Sequence, residues 1–179
     1  MKKAREESTW VLFTLGHSTR ALEEFGVILR AHGVRRIVDV RSIPRSRHNP
    51  QFNRDTLSRF LRNRRISYRH MKSLGGLRRA RPDSLANAGW RNASFRGFAD
   101  YMQTPQFGRA LDQLIRLAAE RPTAILCAES VPWRCHRSLI ADALTARGIH
   151  VDHIMAGGAL KAHTMTPFAE VVGGKIIYP

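Results

Sequence analysis

Short apolar runs alternate with segments of helical periodicity along most of this chain, and that alternation restricts the fold more than any other feature. The predicted strands are 11–15, 37–40, 66–68, 123–126 and 149–155. Between them, apolar residues recur at intervals of three and four, which places them on one face of a helix. Strands that alternate with helices predict a three-layer α/β fold, with a mostly parallel sheet between two layers of helices.

Local signals set the ends of several elements and leave two segments without periodicity. Gly33 is expected to end the first helix, and Asn53 to cap the second. Residues 71–93 contain glycine and proline but no regular spacing, which predicts a long loop of the kind that often carries function. The tail at 156–179 begins with a glycine-rich stretch after the last predicted strand. A chain of 179 residues with this pattern is expected to form a single α/β domain.

The charge of the chain is strongly positive and unevenly distributed. The net charge is +16, and 25 of the 30 basic residues are arginine. Residues 35–96 hold 17 basic residues against three acidic ones. Arginine offers phosphate a planar fork of donors and stacks on bases, so this region predicts a nucleic acid or a phosphorylated small molecule as partner. The alternative is an arginine-rich proteome, in which the charge has no binding role.

Apolar runs and cysteines bear on the cellular compartment. No apolar run approaches the roughly 20 residues that cross a bilayer, and the basic N-terminus lacks the long apolar region of a secretory signal. The chain has two cysteines, Cys127 and Cys135, which do not make a disulfide framework. We therefore expect a cytoplasmic protein with no membrane partner and two free thiols. A disulfide between the two is the alternative.

Reactive or charged side chains lie at the ends of most predicted strands. His17 follows the first strand, Asp39 lies in the second, and Cys127 follows the fourth. In a parallel sheet the carboxyl ends of the strands lie at one edge, where open α/β sheets bind ligands. The sequence therefore predicts one cleft built from residues that are more than a hundred positions apart.

The segment 127–137 holds both cysteines, a glutamate, a histidine and two arginines. Glu129 lies just beyond a strand in basic surroundings, where it would be ionised and could act as a general base. Cys135 and His136 fall at the expected start of a helix, where the helix dipole, Arg134 and Arg137 favour a thiolate. Cys127 is either one of the reactive groups of this segment or simply a small apolar residue that ends a strand. A metal site from both cysteines and His136 is a further alternative, but it lacks the short C-x-x-C spacing of zinc sites, so the sequence does not assign a metal ligand.

The residues after the first two strands supply further candidates. Gly16 and Ser18 could hold an anion near a helix start, and His17 between them is either catalytic or a buried, hydrogen-bonded histidine. Asp39 lies in an apolar run and needs a partner such as Arg41 or His17. Pairing and catalysis are both open for Asp39 at this point.

The loop at 41–50 is rich in arginine. Arg41 and Arg47 lie close to the aromatic Phe52, a combination that suits contact with a phosphate and a base. The alternative is a solvated basic loop. The chain has neither a Walker phosphate loop nor G-x-G-x-x-G after its first strand, so the sequence assigns no cofactor.

Together these segments resemble the bacterial and archaeal family called Domain of Unknown Function 488. The similar segments, in the same order over about residues 11–155, are GHST, VDVRSIPRSR, the LGG turn, FRGFADYM and CAE-x5-CHR. The resemblance implies a Rossmann-like α/β core, with 156–179 as a C-terminal extension. The positions that match the family motifs are Gly16, His17, Ser18, Asp39, Arg41, Pro44, Ser46, Arg47, Gly75, Gly76, Cys127, Glu129, Cys135, His136 and Arg137. The resemblance supplies no activity, so function has to come from the site.

The leading hypothesis is an enzyme that acts on a nucleic acid or a nucleotide. Glu129 is its expected general base and His136 or Cys135 its second reactive group, with His17 and Asp39 as further catalytic candidates. The expected phosphate- or substrate-binding residues are Gly16, Ser18, Arg41, Ser46, Arg47, Gly75, Gly76 and Arg137. The alternatives are a non-catalytic nucleic-acid-binding module and a small-molecule enzyme that uses a Cys135 thiolate. The sequence indicates no oligomeric state.

Overall fold

A six-stranded sheet forms the centre of the computed structural model, which describes residues 10–179. Its strands are β1 (Val11–Gly16), β2 (Arg36–Asp39), β3 (Ser67–His70), β4 (Thr123–Cys127), β5 (His150–Ile154) and β6 (Leu160–Ala162). Across the sheet the order is β3-β2-β4-β1-β5-β6. The first five strands in this order (β3, β2, β4, β1 and β5) run parallel, and β6 pairs antiparallel with β5. A separate hairpin joins β7 (Glu170–Val172) to β8 (Lys175–Ile177).

Helices cover both faces of this sheet, as the alternating pattern predicts. The α-helices within residues 10–179 are α1 (Leu22–Ala31), α2 (Arg54–Arg62), α3 (Ala93–Met102), α4 (Pro105–Glu120) and α5 (Arg137–Thr145). On one face, Leu126 of β4 belongs to the apolar cluster formed with α1 and α2. On the other, its neighbour Ile125 belongs to the cluster formed with α3, α4 and α5. The prediction of a three-layer, mostly parallel α/β fold is confirmed. None of the helices within residues 10–179 is both long enough and apolar enough to span a membrane.

The structure corrects some of the predicted boundaries. Gly33 does follow the end of α1, with a φ of 64° that suits glycine. Helix α2 begins directly after Asn53, but the Asn53 side chain does not cap it. Its Oδ1 instead accepts a hydrogen bond from the Ser46 N–H at 2.7 Å and so holds the preceding loop. The third strand runs from 67 to 70, not from 66 to 68, because it pairs in register with β2.

Residues 156–179 pack against the same core as the rest of the chain. Tyr178 is fully buried, and its hydroxyl donates a hydrogen bond to Asp142 Oδ2 at 2.8 Å. Thr166 donates to the same carboxylate through its N–H and its hydroxyl. Asp142 therefore fastens the C-terminal segment to α5.

A row of buried polar side chains joins β1, β5 and the tail. Thr14 Oγ1 lies 2.7 Å from His153 Nδ1, and His153 Nε2 lies 2.9 Å from His163 Nδ1. His163 Nε2 then donates a hydrogen bond to Asp142 Oδ1 at 2.8 Å. Burial is the main reason why the pKa of His153 is lowered to about 4. The charges of His163, Arg137 and Lys161 also lower this pKa, whereas the negative charge of Asp142 raises it. His153 is therefore neutral at pH 7.

We expect the free energy of unfolding to fall as the pH drops from about 6.5 towards 4. In that range the unfolded chain protonates His153 while the folded protein does not, so protons favour the unfolded state. A shift from 6.5 to about 4 corresponds to a loss of up to about 3 kcal/mol. Denaturant titrations at pH 7 and pH 5 measure the slope, which should be smaller in a His153→Gln variant. The slope that remains is assigned to His17, whose pKa burial also lowers to about 4. An identical slope in the variant would contradict this assignment.

Candidate active site

A cleft of about 590 Å³ opens at the carboxyl edge of the parallel sheet. It lies beyond the ends of β1, β2 and β4, where the strand order of the sheet predicts a ligand site. The predicted site residues that line it are His17, Ser18, Arg41, Ser46, Gly76, Glu129, Cys135 and His136, and Cys127 lines it as well. The structure thus brings together the N-terminal, middle and C-terminal motifs at one edge.

The two cysteines and His136 form a compact cluster in this cleft, here called the sulfur–imidazole cluster. Strand β4 ends at Cys127, and a single 3-10 turn (Pro132–Arg134) returns the chain to Cys135 at the start of α5. His136 Nδ1 lies 3.9 Å from Cys127 Sγ and 3.7 Å from Cys135 Sγ. Both thiols are free. The alternative of a Cys127–Cys135 disulfide is therefore absent from this structure.

The environment of the two thiols makes them unequal. Cys127 and Cys135 share a hydrogen bond, which raises the pKa of Cys127 and lowers that of Cys135 well below its usual value. The positive charge and hydrogen bonding of His136 and Arg137 also lower the pKa of Cys135. Cys135 is consequently the sulfur that carries negative charge first.

Arg137 lies beneath the cluster and is fully buried. Its Nε donates a hydrogen bond to Cys135 Sγ at 3.4 Å, and its Nη1 donates to Thr14 Oγ1 at 3.2 Å. Its Nη2 donates to the backbone oxygen of Glu129 at 2.5 Å. Within residues 10–179 no carboxylate forms an ion pair with Arg137. Its charge therefore acts on Cys135, and its guanidinium is not exposed to a phosphate.

Asp39 and Arg41 form a buried ion pair below the other wall of the cleft. Arg41 Nη2 donates to Asp39 Oδ2 at 2.6 Å, and Arg41 Nε donates to Asp39 Oδ1 at 2.9 Å. The Tyr68 hydroxyl donates to Asp39 Oδ2 at 2.6 Å, and Arg41 also donates to the Phe52 carbonyl. Arg41 borders the cleft, yet its donors are largely used within the protein. The sequence left open whether Asp39 is a partner of Arg41 or a catalytic group, and this geometry is that of a structural ion pair.

His17 completes this wall in a neutral state. Its ring stacks on Phe52 with centroids 4.3 Å apart. Arg41 Nη1 donates to His17 Nε2 at 3.2 Å, so the proton of the neutral ring lies on Nδ1, which donates to the Ser18 carbonyl at 2.8 Å. Both nitrogens are thus engaged with protein groups. His17 orients Arg41 and the Ser18 loop.

The loop after β1 is held against the segment after β4. The N–H groups of His17 and Ser18 donate to the carbonyls of Cys127 and Ala128, each at 2.9 Å. These two amides are therefore not free to bind an anion, contrary to one expectation for this motif. Ser18 has a φ of 51°, an uncommon backbone conformation for a residue other than glycine.

Glycines allow the close approach of these segments. A Cβ on Gly16 would lie 1.8 Å from the Glu129 carbonyl oxygen, and a Cβ on Gly75 would lie 2.5 Å from Ser42 Oγ. A Cβ on Gly76 would lie 2.6 Å from His136 Nδ1. Only glycine fits these positions without displacing a neighbour. Gly16 and Gly75 are packing positions, whereas Gly76 leaves room beside His136 Nδ1.

The open side of the cleft carries two cations that the sequence did not predict as phosphate-binding residues. Arg45 and Arg134 are exposed and line the cleft, whereas Arg47 is exposed but does not line it. Ser46 lines the cleft, and its Oγ accepts a hydrogen bond from the Asn49 N–H at 3.0 Å. Both arginines belong to segments that the sequence analysis selected. Nothing in the sequence indicates which arginines form hydrogen bonds within the protein and which remain exposed.

Glu129 and Phe95 provide the remaining functional groups of the cleft. The Glu129 side chain is exposed and lines the cleft, while its backbone oxygen receives Arg137. Phe95 also lines the cleft and stacks on Trp90 with centroids 4.7 Å apart. The cleft therefore combines a carboxylate, the sulfur–imidazole cluster, two exposed cations and an aromatic surface.

Comparison with known proteins bears on the family alone. No curated protein and no solved structure matches this chain. The family described as Domain of unknown function DUF488 matches residues 21–144, which include the motifs around Asp39, Gly76 and Cys135. The motif at 16–18 lies outside the matched stretch. Because this match covers more than half of the 179 residues, the chain belongs to the Domain of Unknown Function 488 family.

Proposed function

We propose that this protein is an enzyme that acts on a nucleotide or a nucleic acid in the cleft described above. The observation that carries the proposal is the meeting of Glu129 with the sulfur–imidazole cluster in one cleft that also holds Arg45 and Arg134. A carboxylate beside nucleophilic or metal-binding groups is the arrangement of a general base next to a reactive centre. Two exposed cations at the same opening suit a phosphate-bearing substrate.

The size and lining of the cleft agree with a substrate of this class. A volume of about 590 Å³ is within the range of small-molecule sites. Phe95 and the exposed Ile43 and Leu77 offer apolar contact for a base, while Arg45 and Arg134 offer charge for a phosphate. A single nucleotide, or one nucleotide of a longer strand, would fill such a cleft. The exposed arginines elsewhere in residues 35–96 support contact with a longer polyanion.

Glu129 is the group that the proposal assigns as general base. Its side chain is exposed, and its structural contact to Arg137 is made through the backbone oxygen, which a side-chain substitution leaves in place. Glu129→Gln should therefore change the free energy of unfolding by no more than about 0.5 kcal/mol. General bases contribute about 10²- to 10⁴-fold to rates, so turnover should fall by that factor.

The experiment incubates the wild-type protein and Glu129→Gln with a mixture of nucleotides and short RNA and DNA strands, followed by mass spectrometry of the mixture. We expect the wild-type protein to convert at least one component and Glu129→Gln to convert it far more slowly. Glu23→Gln, an exposed substitution in α1 outside the cleft, is the matched control and should retain full turnover. Equal turnover by Glu129→Gln and the wild-type protein would contradict the proposal. Tight binding without any conversion would instead indicate a non-catalytic nucleic-acid-binding module.

A further inference from the structure

The geometry of the sulfur–imidazole cluster points to a binding site for one zinc ion, and we propose Cys127 Sγ, Cys135 Sγ and His136 Nδ1 as its three protein ligands. These atoms all lie within 4.8 Å of one another, the one such convergence of three possible ligands in residues 10–179. Two thiolates and an imidazole are donors that favour zinc over magnesium or calcium. For its catalytic role, this inference rests on the proposed function.

The spacing of the three atoms suits a tetrahedral ion. With Zn–S of about 2.3 Å and Zn–N of about 2.0 Å, adjacent ligand atoms of a tetrahedron lie roughly 3.5 to 3.8 Å apart. The observed separations from His136 Nδ1 are 3.7 Å to Cys135 Sγ and 3.9 Å to Cys127 Sγ. Both separations from Nδ1 thus lie within a few tenths of an ångström of the tetrahedral value, and the two sulfur atoms lie within 4.8 Å of each other. The 3-10 turn achieves through the fold what the C-x-x-C spacing achieves in other zinc sites.

The hydrogen bonds of His136 fix which nitrogen is available to a metal. His136 Nε2 lies 3.2 Å from the Val40 carbonyl and 3.0 Å from the Leu74 carbonyl. Carbonyl oxygens only accept hydrogen bonds, so Nε2 carries the proton. Nδ1 faces the two sulfur atoms, and a zinc ion would take the place of the proton that Nδ1 shares with the thiols, so that the neutral ring binds the ion through its Nδ1 lone pair. A histidine that ligates a metal through one nitrogen commonly donates the other N–H to a carbonyl in this way.

The surroundings support the ligands further. Arg137 Nε donates a hydrogen bond to Cys135 Sγ, a contact that disperses charge on a metal-bound thiolate. Gly76 provides space beside His136 Nδ1, where a Cβ would lie only 2.6 Å away. Phe98 packs edge-on against the His136 ring with centroids 5.0 Å apart and restricts its rotation. The imidazole is thus held in the orientation that a metal requires.

Three protein ligands leave the fourth position of the ion open to the cleft, which is the pattern of a catalytic zinc site. Glu129 lines the same cleft but is not one of the converging ligands. Two cysteines, one histidine and a separate glutamate form the set with which zinc nucleobase deaminases activate water. The corresponding step here is hydrolysis. Glu129 would take one proton from the zinc-bound water, and the remaining hydroxide would bond to the amine-bearing carbon of the nucleobase. The bond between that carbon and the exocyclic amine would then break as Glu129 passes the proton to the amine, so that the products are ammonia and a hydroxyl-bearing nucleobase, which tautomerises to its carbonyl form.

The test uses the full chain without an affinity tag. Zinc is added, unbound zinc is removed by dialysis, and the zinc that remains bound to the protein is measured by elemental mass spectrometry. We expect about one zinc ion per wild-type chain. Cys127→Ser, Cys135→Ser and His136→Gln should each weaken zinc binding by more than the roughly 10- to 100-fold seen when a residue that only hydrogen-bonds to a metal ligand is replaced. His48→Gln removes an exposed histidine outside the cleft and should bind zinc as the wild type does.

Cobalt substitution provides a second measurement that does not depend on the variants folding. Co²⁺ in this site should give the intense visible bands of a four-coordinate ion together with thiolate-to-cobalt charge transfer. The chain has only two cysteines, so that charge transfer identifies Cys127 and Cys135 directly. A wild-type protein that retains no zinc and gives no thiolate–cobalt absorption overturns the inference, as does undiminished zinc binding by Cys135→Ser.

The outcomes separate this inference from the proposed function. Glu129-dependent turnover by metal-free protein would overturn the catalytic role of the zinc ion and keep the proposed function. Stoichiometric zinc with no conversion of any nucleotide or strand would keep the site and overturn the function. Ammonia released in step with nucleotide conversion, and only by the zinc-loaded protein, is the result expected if both hold.

Discussion

Replacement of Asp39 by alanine is expected to lower the free energy of unfolding by about 3 to 5 kcal/mol, because it leaves the buried Arg41 charge without its partner. Asp39 is fully buried, and Arg41 is only 6% exposed. The substitution also removes the acceptor of the Tyr68 hydroxyl. A loss of this size is a large part of the roughly 5 to 15 kcal/mol that stabilises an ordinary domain. Denaturant titration at pH 7 measures it.

A matched variant separates the ion pair from the rest of this network. Tyr68→Phe removes one hydrogen bond to Asp39 and leaves the Arg41 pair intact. Its expected cost is about 1 kcal/mol, the usual net value of one hydrogen bond. Similar costs for Asp39→Ala and Tyr68→Phe would contradict the view that the buried charge dominates this wall of the cleft.

The second large effect is expected from Gly16→Ala, with a loss of about 3 kcal/mol in the free energy of unfolding, the upper end of the usual cost of overpacking. The new Cβ would lie 1.8 Å from the Glu129 carbonyl oxygen and 2.6 Å from its carbonyl carbon. Both neighbours are backbone atoms, so the chain around Glu129 has to move. We therefore expect Gly16→Ala to lose turnover as well as stability. Thermal denaturation and the conversion assay measure the two effects.

Gly108→Ala is the control for this substitution. Gly108 lies in α4, and a Cβ there would have no heavy atom within 4 Å. Alanine in a helix is more stable than glycine by about 0.5 to 1 kcal/mol, so Gly108→Ala should stabilise the protein. Destabilisation by both substitutions to a similar extent would show that the close contact at Gly16 is not the cause.

Local patterns were sufficient to predict the layers of this fold. The spacing of apolar residues determines which face of each strand and helix is buried, so alternating residues such as Ile125 and Leu126 indicate a sheet covered on both sides. The prediction that Asn53 caps α2 was wrong because the Asn53 side chain binds a competing partner, the Ser46 N–H seven residues away. Such competition depends on the loop conformation, which the local pattern does not determine.

The candidate site was predictable to the extent that its groups are close in sequence. Cys127, Glu129, Cys135 and His136 lie within ten residues, and the structure places all of them on the cleft. The fate of the arginines was not predictable. Arg137 is buried through contacts to Thr14 and to backbone oxygens, and these partners are fixed only by tertiary packing. The exposed cations of the cleft are therefore Arg45 and Arg134, where the sequence indicated Arg41, Arg47 and Arg137.

The central claim is that the substrate binds in the cleft between the sulfur–imidazole cluster and the exposed arginines. Titration of isotope-labelled protein with each nucleoside 5′-monophosphate, followed by amide NMR shifts, tests it most directly. We predict that the largest shifts occur at Ser18, Ser42, Gly76 and Ala128, and that they weaken in an Arg45→Gln, Arg134→Gln double variant. Largest shifts on the exposed basic face of α2, around Arg59 and Arg62, or equal shifts in the double variant, would contradict the claim.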